Sequence, residues 1–251
     1  MSRSVNRALS ILNLYNNKKK EWGISEIARE LQLAKSTVYN LVKAMEQVEY
    51  LTQNQHGKYC LGLRLFELGR VYSEGNELHA ASSPMVELLT KKYKQTVHVA
   101  IYAGRRAVFI INNKSERETG HNIFTRTGDI PAYCTAVGKV LISWQAPEYI
   151  EHYLRTESRV PFTTHTIIDK DVLRKEFNQI RLQGYGVDQQ EAVMGIGCIA
   201  APIFGPCDQI IAAISVSGNE QRLLDPLIFP ECCSDVIDAA KRISASMGYR
   251  A

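Results

Sequence analysis

The sequence predicts an α+β chain in two parts: helices with one short hairpin first, then a sheet flanked by helices. Three observations carry this. Apolar residues recur with helical period in three segments before residue 47, the last two almost back to back. From Thr96 onward the period changes to two. The positive charge is confined to the first third, where residues 1–73 hold eleven Lys/Arg against six Asp/Glu. The remainder carries one net negative charge, within a total of +4. That asymmetry suits a polyanion-binding part joined to a near-neutral one.

The 251 residues are enough for one large domain or two ordinary ones, and 45% hydrophobic content supports a packed core. No apolar run approaches the ~18 residues a membrane span requires. The N-terminus lacks the apolar core of a secretory signal, so a cytoplasmic chain with no membrane contact is expected. Cys60, Cys134, Cys198, Cys207, Cys232 and Cys233 form no C-x-x-C pair and match no zinc spacing. They read as small hydrophobes, and no metal or cofactor is expected. Adjacent Cys232 and Cys233 are compatible with a strained vicinal disulfide, but their surroundings lack the positive charge that makes a thiol reactive.

Val5, Ala8, Leu9 and Leu12 mark the first helix, with Ser4 as its cap. Ile24, Ile27, Ala28 and Leu31 mark the second; Val38, Leu41, Val42 and Met45 mark the third. Two or three residues separate the last two, which is helix-turn-helix spacing. In such a pair the second helix offers its first turn to a DNA groove and packs its apolar side inward. Lys35, Ser36 and Thr37 fall in that turn, where free backbone N–H groups also favour phosphate. Tyr39, Asn40 and Lys43 continue the outward face, and Asn can bind adenine bidentately. The competing reading is an ordinary cap and a solvated face. "EYLTQ" and "KYCLG" follow as a hairpin about "NQHG", a wing placing His56 and Lys58 near phosphate. Next come a short and a longer helix, broken at Gly75 and Asn76, with Ser83–Pro84 interrupting the second.

In the remainder, Thr96–Tyr102 and Arg106–Asn112 read as strands about a tight "AGRR" turn, and "NIFTRTG" as a third strand. "AYCTAVGKVLISW" begins a helix that leads into a helical "APEYIEHYL". "DKDVLRKEFNQIRLQG" is an amphipathic helix with Leu173, Phe177, Ile180 and Leu182 inward, closed by Gly184. "GCIAAPIFG" and "QIIAAISVSG" are apolar, tightly covered strands, and "CCSDVIDAAKRISASMGY" is the terminal helix. Phosphate-loop, dinucleotide and zinc-protease motifs are absent.

"KSTVYNLVKAM", "KYCLGLRLFELG", "PAYCTAVGKVL", "IRLQGYGVDQQEAVMGIGCIAAPIF" and "AAISVSG" together resemble the isocitrate-lyase-regulator (IclR) family of bacterial transcriptional regulators, from about residue 4 to 249. "KYCLGLRLFELG" and "PAYCTAVGK" are most similar to its regulators of sugar-acid and ketodeoxygluconate catabolism. The resemblance implies a winged helix-turn-helix (1–73), a linker helix (74–93) and a GAF-like α/β effector-binding domain (94–251). It implies operator DNA, a small organic or sugar acid, and a second copy as partners, in a dimer or a dimer of dimers. It places the effector at Tyr133, Thr135, Ala136, Asp188, Ile196, Cys198, Ser215 and Ser217. Ser215 and Ser217 share one strand face, and a helix start at "CTAVGK" offers N–H groups to a carboxylate. The rival reading has the serines satisfying local backbone and Asp188 capping a turn. Two residues depart from the family pattern: Asp129, whose charge opposes an anion, and Ala34, a weak cap for the third helix.

A repressor of a catabolic operon is the function so implied. An activator of aromatic-acid catabolism, an enzyme using Cys198 as a thiol, and a DNA-free dimerisation module are the alternatives.

Overall fold

The computed structural model describes residues 2–16, 19–115 and 131–249. The chain divides into two compact units, Met1–Asn76 and Glu77–Ala251.

In the first unit, α1 (Arg3–Leu12), α2 (Ile24–Glu30) and α3 (Lys35–Gln47) enclose Ile11, Ile27, Ala28, Val38, Val42 and Met45. The antiparallel hairpin of β1 (Leu51–Gln53) and β2 (Tyr59–Leu61) adds Leu51 and Tyr59 to that core. Glu26 reaches back to accept from the Gly23 N–H at 2.7 Å, which fixes the start of α2. Leu31–Ala34 joins α2 to α3, four residues with Gln32 left-handed, and Leu33 N–H returns to Ala28 O at 2.9 Å. α4 (Leu63–Glu74) ends the unit and buries none of its described side chains.

The first helix differs from its sequence pattern. α1 starts at Arg3, so Ser4 lies inside its first turn and caps nothing. Val5 and Leu9 are exposed, and Ile11 is the residue that α1 buries fully.

In the second unit, a five-stranded sheet runs in the order β4-β3-β7-β6-β5. Its strands are β3 (Thr96–Ala103), β4 (Arg106–Asn113), β5 (Gly186–Gln189), β6 (Ile196–Phe204) and β7 (Ile210–Asn219), all antiparallel neighbours. α5 (Glu77–Tyr93) and the terminal α10 (Phe229–Ser246) cover one face through Val86, Leu89, Val236 and Ile243 against Val97, Val99, Ile199, Ile214 and Val216. α6 (Ala136–Ser143) and α8 (Lys170–Gln183) cover the other through Val137, Val140, Leu141 and Ile180. α7 (Pro147–Thr156) packs against α8, and α9 (Glu220–Leu223) follows β7.

Local rules account for most element ends. Gly104 and Arg105 both have positive φ (57° and 66°), the two-residue turn that matches strand twist. Asp169 accepts from Asp171 and Val172 N–H to start α8, and Gly184, at φ 79°, ends it. Pro84 interrupts nothing: α5 runs through it, and Ser83 Oγ donates to the His79 carbonyl at 2.8 Å. Leu182, expected inward, is 83% exposed. β5 was missed because four residues, one of them Gly186, give too short an alternation to read. The expected strand "NIFTRTG" and Asp129 lie outside the described residues. All six cysteines are free, Cys232 and Cys233 included. Among the described residues no helix is long and apolar enough to cross a membrane.

Candidate functional sites

The first candidate is the outward face of α3. Its start at Ala34 carries no side-chain cap, so the first-turn N–H groups meet solvent unassisted. Lys35, Ser36, Tyr39 and Asn40 are exposed and Thr37 is half-buried, while Val38 and Val42 beneath them are fully buried. These residues form one continuous polar face. Lys43 and Lys58 do not join it as free cations. Lys43 Nζ lies 2.7 Å from Glu46 Oε2 and 5.6 Å from the Tyr59 ring, and Glu46 leads in raising its pKa. Lys58 sits at the base of the hairpin turn, 3.0 Å from Glu21 Oε1, while His56 is exposed near its tip.

The second candidate lies on the α6 side of the sheet. Strand register aligns Asp188, Cys198, Ser217 and Thr96 in one row across β5, β6, β7 and β3. Residues in such a row share a face. A second row aligns Gly186, Ala200, Ser215, His98 and Asn112. Five of these side chains, Asp188, Ser217, Thr96, Ser215 and His98, are buried polar groups on an otherwise apolar surface. Polar groups converging on one otherwise apolar face are the pattern of a small-molecule site.

The row is internally connected. Cys198 Sγ is 3.0 Å from Ser217 Oγ and 3.7 Å from Asp188 Oδ2. Burial pushes the Cys198 thiol well above its usual range, and the Asp188 carboxylate adds to that, so Cys198 is a neutral lining group and no nucleophile. Asp188 Oδ1 accepts from the Glu191 N–H at 2.6 Å, so the turn-capping role is real. Burial, then the charge of Glu191, lifts the Asp188 carboxyl to about 7. This acid loses its proton more readily unfolded than folded. Its contribution to stability is therefore largest below about pH 4 and fades as pH rises to about 7. Asp188→Asn mimics the protonated form. The melting-temperature difference, variant minus wild type, is expected to grow between pH 5 and pH 7.5; a constant difference would mean that Asp188 ionises like an exposed acid.

Tyr133, Thr135 and Ala136 form the turn into α6, all buried. The Tyr133 hydroxyl is occupied, donating to Val160 O at 2.8 Å and accepting from Val160 N–H at 2.9 Å. Thr135 Oγ1 accepts from Gly138 N–H at 3.1 Å. A Cβ on Gly138 would stand 2.2 Å from the Ala132 carbonyl oxygen, so only glycine permits this close turn. Ile196 is partly exposed at the β6 end of the same face.

The sequence reading missed four further groups. Thr96 and His98 alternate with valines in "TVHV", a signal that was available. Burial holds the His98 imidazole neutral, its pKa lowered to about 3, with its ring 4.8 Å from Phe109. Lys139 is 1% exposed and binds Glu191 Oε1 at 2.5 Å and Glu176 Oε1 at 2.9 Å. Glu191 O also accepts from Thr166 Oγ1 at 2.6 Å, tying the Asp188 turn to the segment that holds Tyr133. Lys139 and Glu191 meet across fifty-two residues of sequence, so no local pattern pairs them.

A family model for "Bacterial transcriptional regulator IclR C-terminal" matches residues 71–245, and one for "IclR helix-turn-helix domain" matches residues 4–55. The chain belongs to the IclR family. It is a helix-turn-helix transcriptional regulator and, like that family, no enzyme. The regulator is 32% identical to the HTH-type transcriptional regulator XynR of Escherichia coli over 99% of this chain and 98% of XynR. It is 30% identical to KdgR of the same organism over 98% and 94%. An IclR homologue from Microbacterium hydrocarbonoxydans, solved in complex with 4-hydroxybenzoate, shares the fold (TM-score 0.85, 23% identity, 98% and 99% covered).

Proposed function

We propose that the regulator binds operator DNA as a symmetric oligomer through α3, represses a catabolic operon, and releases or tightens in response to a small organic or sugar acid. The observation that carries this reading is the polar double row on the sheet beneath α6, with Asp188, Cys198, Ser215 and Ser217 at its centre and Tyr133, Thr135, Ala136 and Ile196 at its margin. Hydroxyl, thiol and neutral imidazole groups there suit the hydroxyls of a small acid, and the first turn of α6 suits its carboxylate. The 4-hydroxybenzoate held by a protein of the same fold supports a carboxylate ligand. A thermal-shift screen of sugar, keto and aromatic acids tests this, since a ligand at a hundred times its Kd stabilises by about 2.7 kcal/mol. A hit that survives in Ser217→Ala and Asp188→Asn with unchanged affinity would remove the rows from the reading.

The residues assigned to DNA are Lys35, Ser36, Thr37, Tyr39 and Asn40, with Lys43 and Lys58 in a lesser role because each would have to leave a carboxylate partner. Lys35→Ala, Thr37→Ala and Asn40→Ala together are expected to abolish selective binding of the upstream operator while melting within about 1 kcal/mol of wild type. Lys43→Ala and Lys58→Ala alone should flatten the salt dependence by less than the ~0.9 log units per lost phosphate contact. Gel shifts across a salt series measure both, and full operator selectivity in the triple variant would displace α3 as the reading helix.

A second copy is the expected partner of α4. Leu63, Phe66 and Val71 are each more than 60% exposed there. A helix of twelve residues with no buried apolar face is stable when another surface covers it. Two chains joined symmetrically would set two α3 helices to successive major grooves, about 34 Å apart.

A further inference from the structure

We propose that a cleft at the far end of β6 is a second small-molecule site, built for an aromatic or aryl-alkyl carboxylate. It encloses about 560 Å³, between the end of α6, the end of α8, β6 and the last turns of α10. That volume lies within the range of ligand pockets. The site is separate from the polar rows. Cys198 and Phe204 are six residues apart on one strand, about 20 Å.

The location arises from the topology. β5 pairs with β6 only from Gly197 to Ala200, so Ala201–Phe204 form a sheet edge that β5 does not pair. Such an edge ordinarily invites another strand. Here Pro202 has no N–H and the Phe204 N–H is already bonded to Ser244 Oγ at 2.9 Å. The edge is therefore poor at recruiting a peptide strand, and recognition falls to side chains.

Those side chains are aromatic and cationic. Trp144 meets Phe204 edge-on with centroids 4.9 Å apart, and Phe204 stacks on Tyr249 at 5.3 Å. The Arg181 guanidinium lies 5.4 Å from the Trp144 ring, and Lys241 stands on the α10 side. Among the described residues no carboxylate lines the cleft. The buried Trp144 Nε1–H has no acceptor among the described residues. Aromatic walls, two cations and an unanswered N–H donor together describe a flat apolar body carrying a carboxylate.

The test uses 3-phenylpropionate, with 3-phenylpropionamide as the uncharged control. Trp22 and Trp144 are the two tryptophans of the chain, so in Trp22→Phe the indole emission reports the cleft alone. A saturable change with the acid, and none with the amide, is expected. Arg181→Ala/Lys241→Ala should weaken the acid by about tenfold or more, whereas Ser217→Ala should leave it unchanged. Calorimetric titration of the unmodified protein and of the same double variant repeats the comparison without touching Trp22. No saturable response, an equal response to the amide, undiminished affinity in the double variant, or loss in Ser217→Ala would overturn the proposal. So would emission that follows protein concentration and ignores the acid, since a second copy would then fill the cleft.

Discussion

Phe66→Asp, in the whole 251-residue chain, is expected to leave the regulator folded yet sedimenting as a single chain at concentrations where the proposed wild-type dimer would form. Phe66 is 66% exposed within one chain, so its replacement disturbs no internal packing. In a symmetric pair it would occupy the contact twice, and each loss of a buried aromatic anchor costs about 2 kcal/mol or more. Two such losses raise the dissociation constant by roughly a thousandfold. Operator affinity should fall in step, because half-sites would then be held one at a time. Val71→Asp ought to act in the same direction, and Glu67→Lys on the same helix only weakly. Sedimentation velocity decides the matter: an unchanged dimer would show that α4 faces something other than a second copy.

Lys139→Ala is expected to be the most destabilising single change in the second unit. The ammonium is shielded from water and bound to two carboxylates, one of which, Glu191, is itself buried. Burial disfavours the charge on Lys139, but Glu191 and Glu176 outweigh it and hold its pKa above the ordinary value. Removing one partner of a buried pair costs about 3–5 kcal/mol, because the remaining charge is left without compensation. For a unit of this size that is a fall of roughly 10 °C in melting temperature. Glu191 already titrates above its ordinary value through burial, with Lys139 holding it down. Without the lysine it rises further. A raised carboxyl pKa removes stability as pH climbs past the unfolded value, so Lys139→Ala should approach wild type at acid pH and depart from it at neutral pH. Lys139→Met/Glu191→Gln should recover much of the loss, since an apolar side chain and a neutral amide replace the pair. Equal melting temperatures for Lys139→Met and that double variant would mean that the Glu191 carboxylate left without its lysine carries no penalty.

The two-part plan was legible because it rests on long periodic signals. Val38, Val42 and Met45, and the strands of "GCIAAPIF" and "AAISVS", repeat often enough to specify both element and buried face. The α3 surface followed from the same pattern, as its complement. The exceptions were places where a partner elsewhere in the chain decides. Leu182 is an exception of another kind: nine residues on from Leu173, it stands on the opposite side of α8, so the helical period itself sends it to solvent beside the α6–α8–α10 cleft. Lys58 reads as a free cation at a turn until Glu21, thirty-seven residues away, is seen to hold it. In the candidate effector region the resemblance supplied the residues and the strand register supplied the reason: Asp188, Cys198 and Ser217 are neighbours across three strands. Lys139 and His98 were hidden because a charged or titratable side chain is ordinarily taken as surface.

The tight approach of Gly138 to the Ala132 carbonyl has a consequence for how such a sensor diversifies. Main chain, not side chain, sets the turn into α6, so that turn is indifferent to which side chains stand on the neighbouring strands. If the proposed effector site is right, exchanging Cys198, Ile196 or Ser215 for bulkier or more polar residues should retune which acid is accepted without shifting that turn, while even one methyl group at position 138 would distort the turn itself.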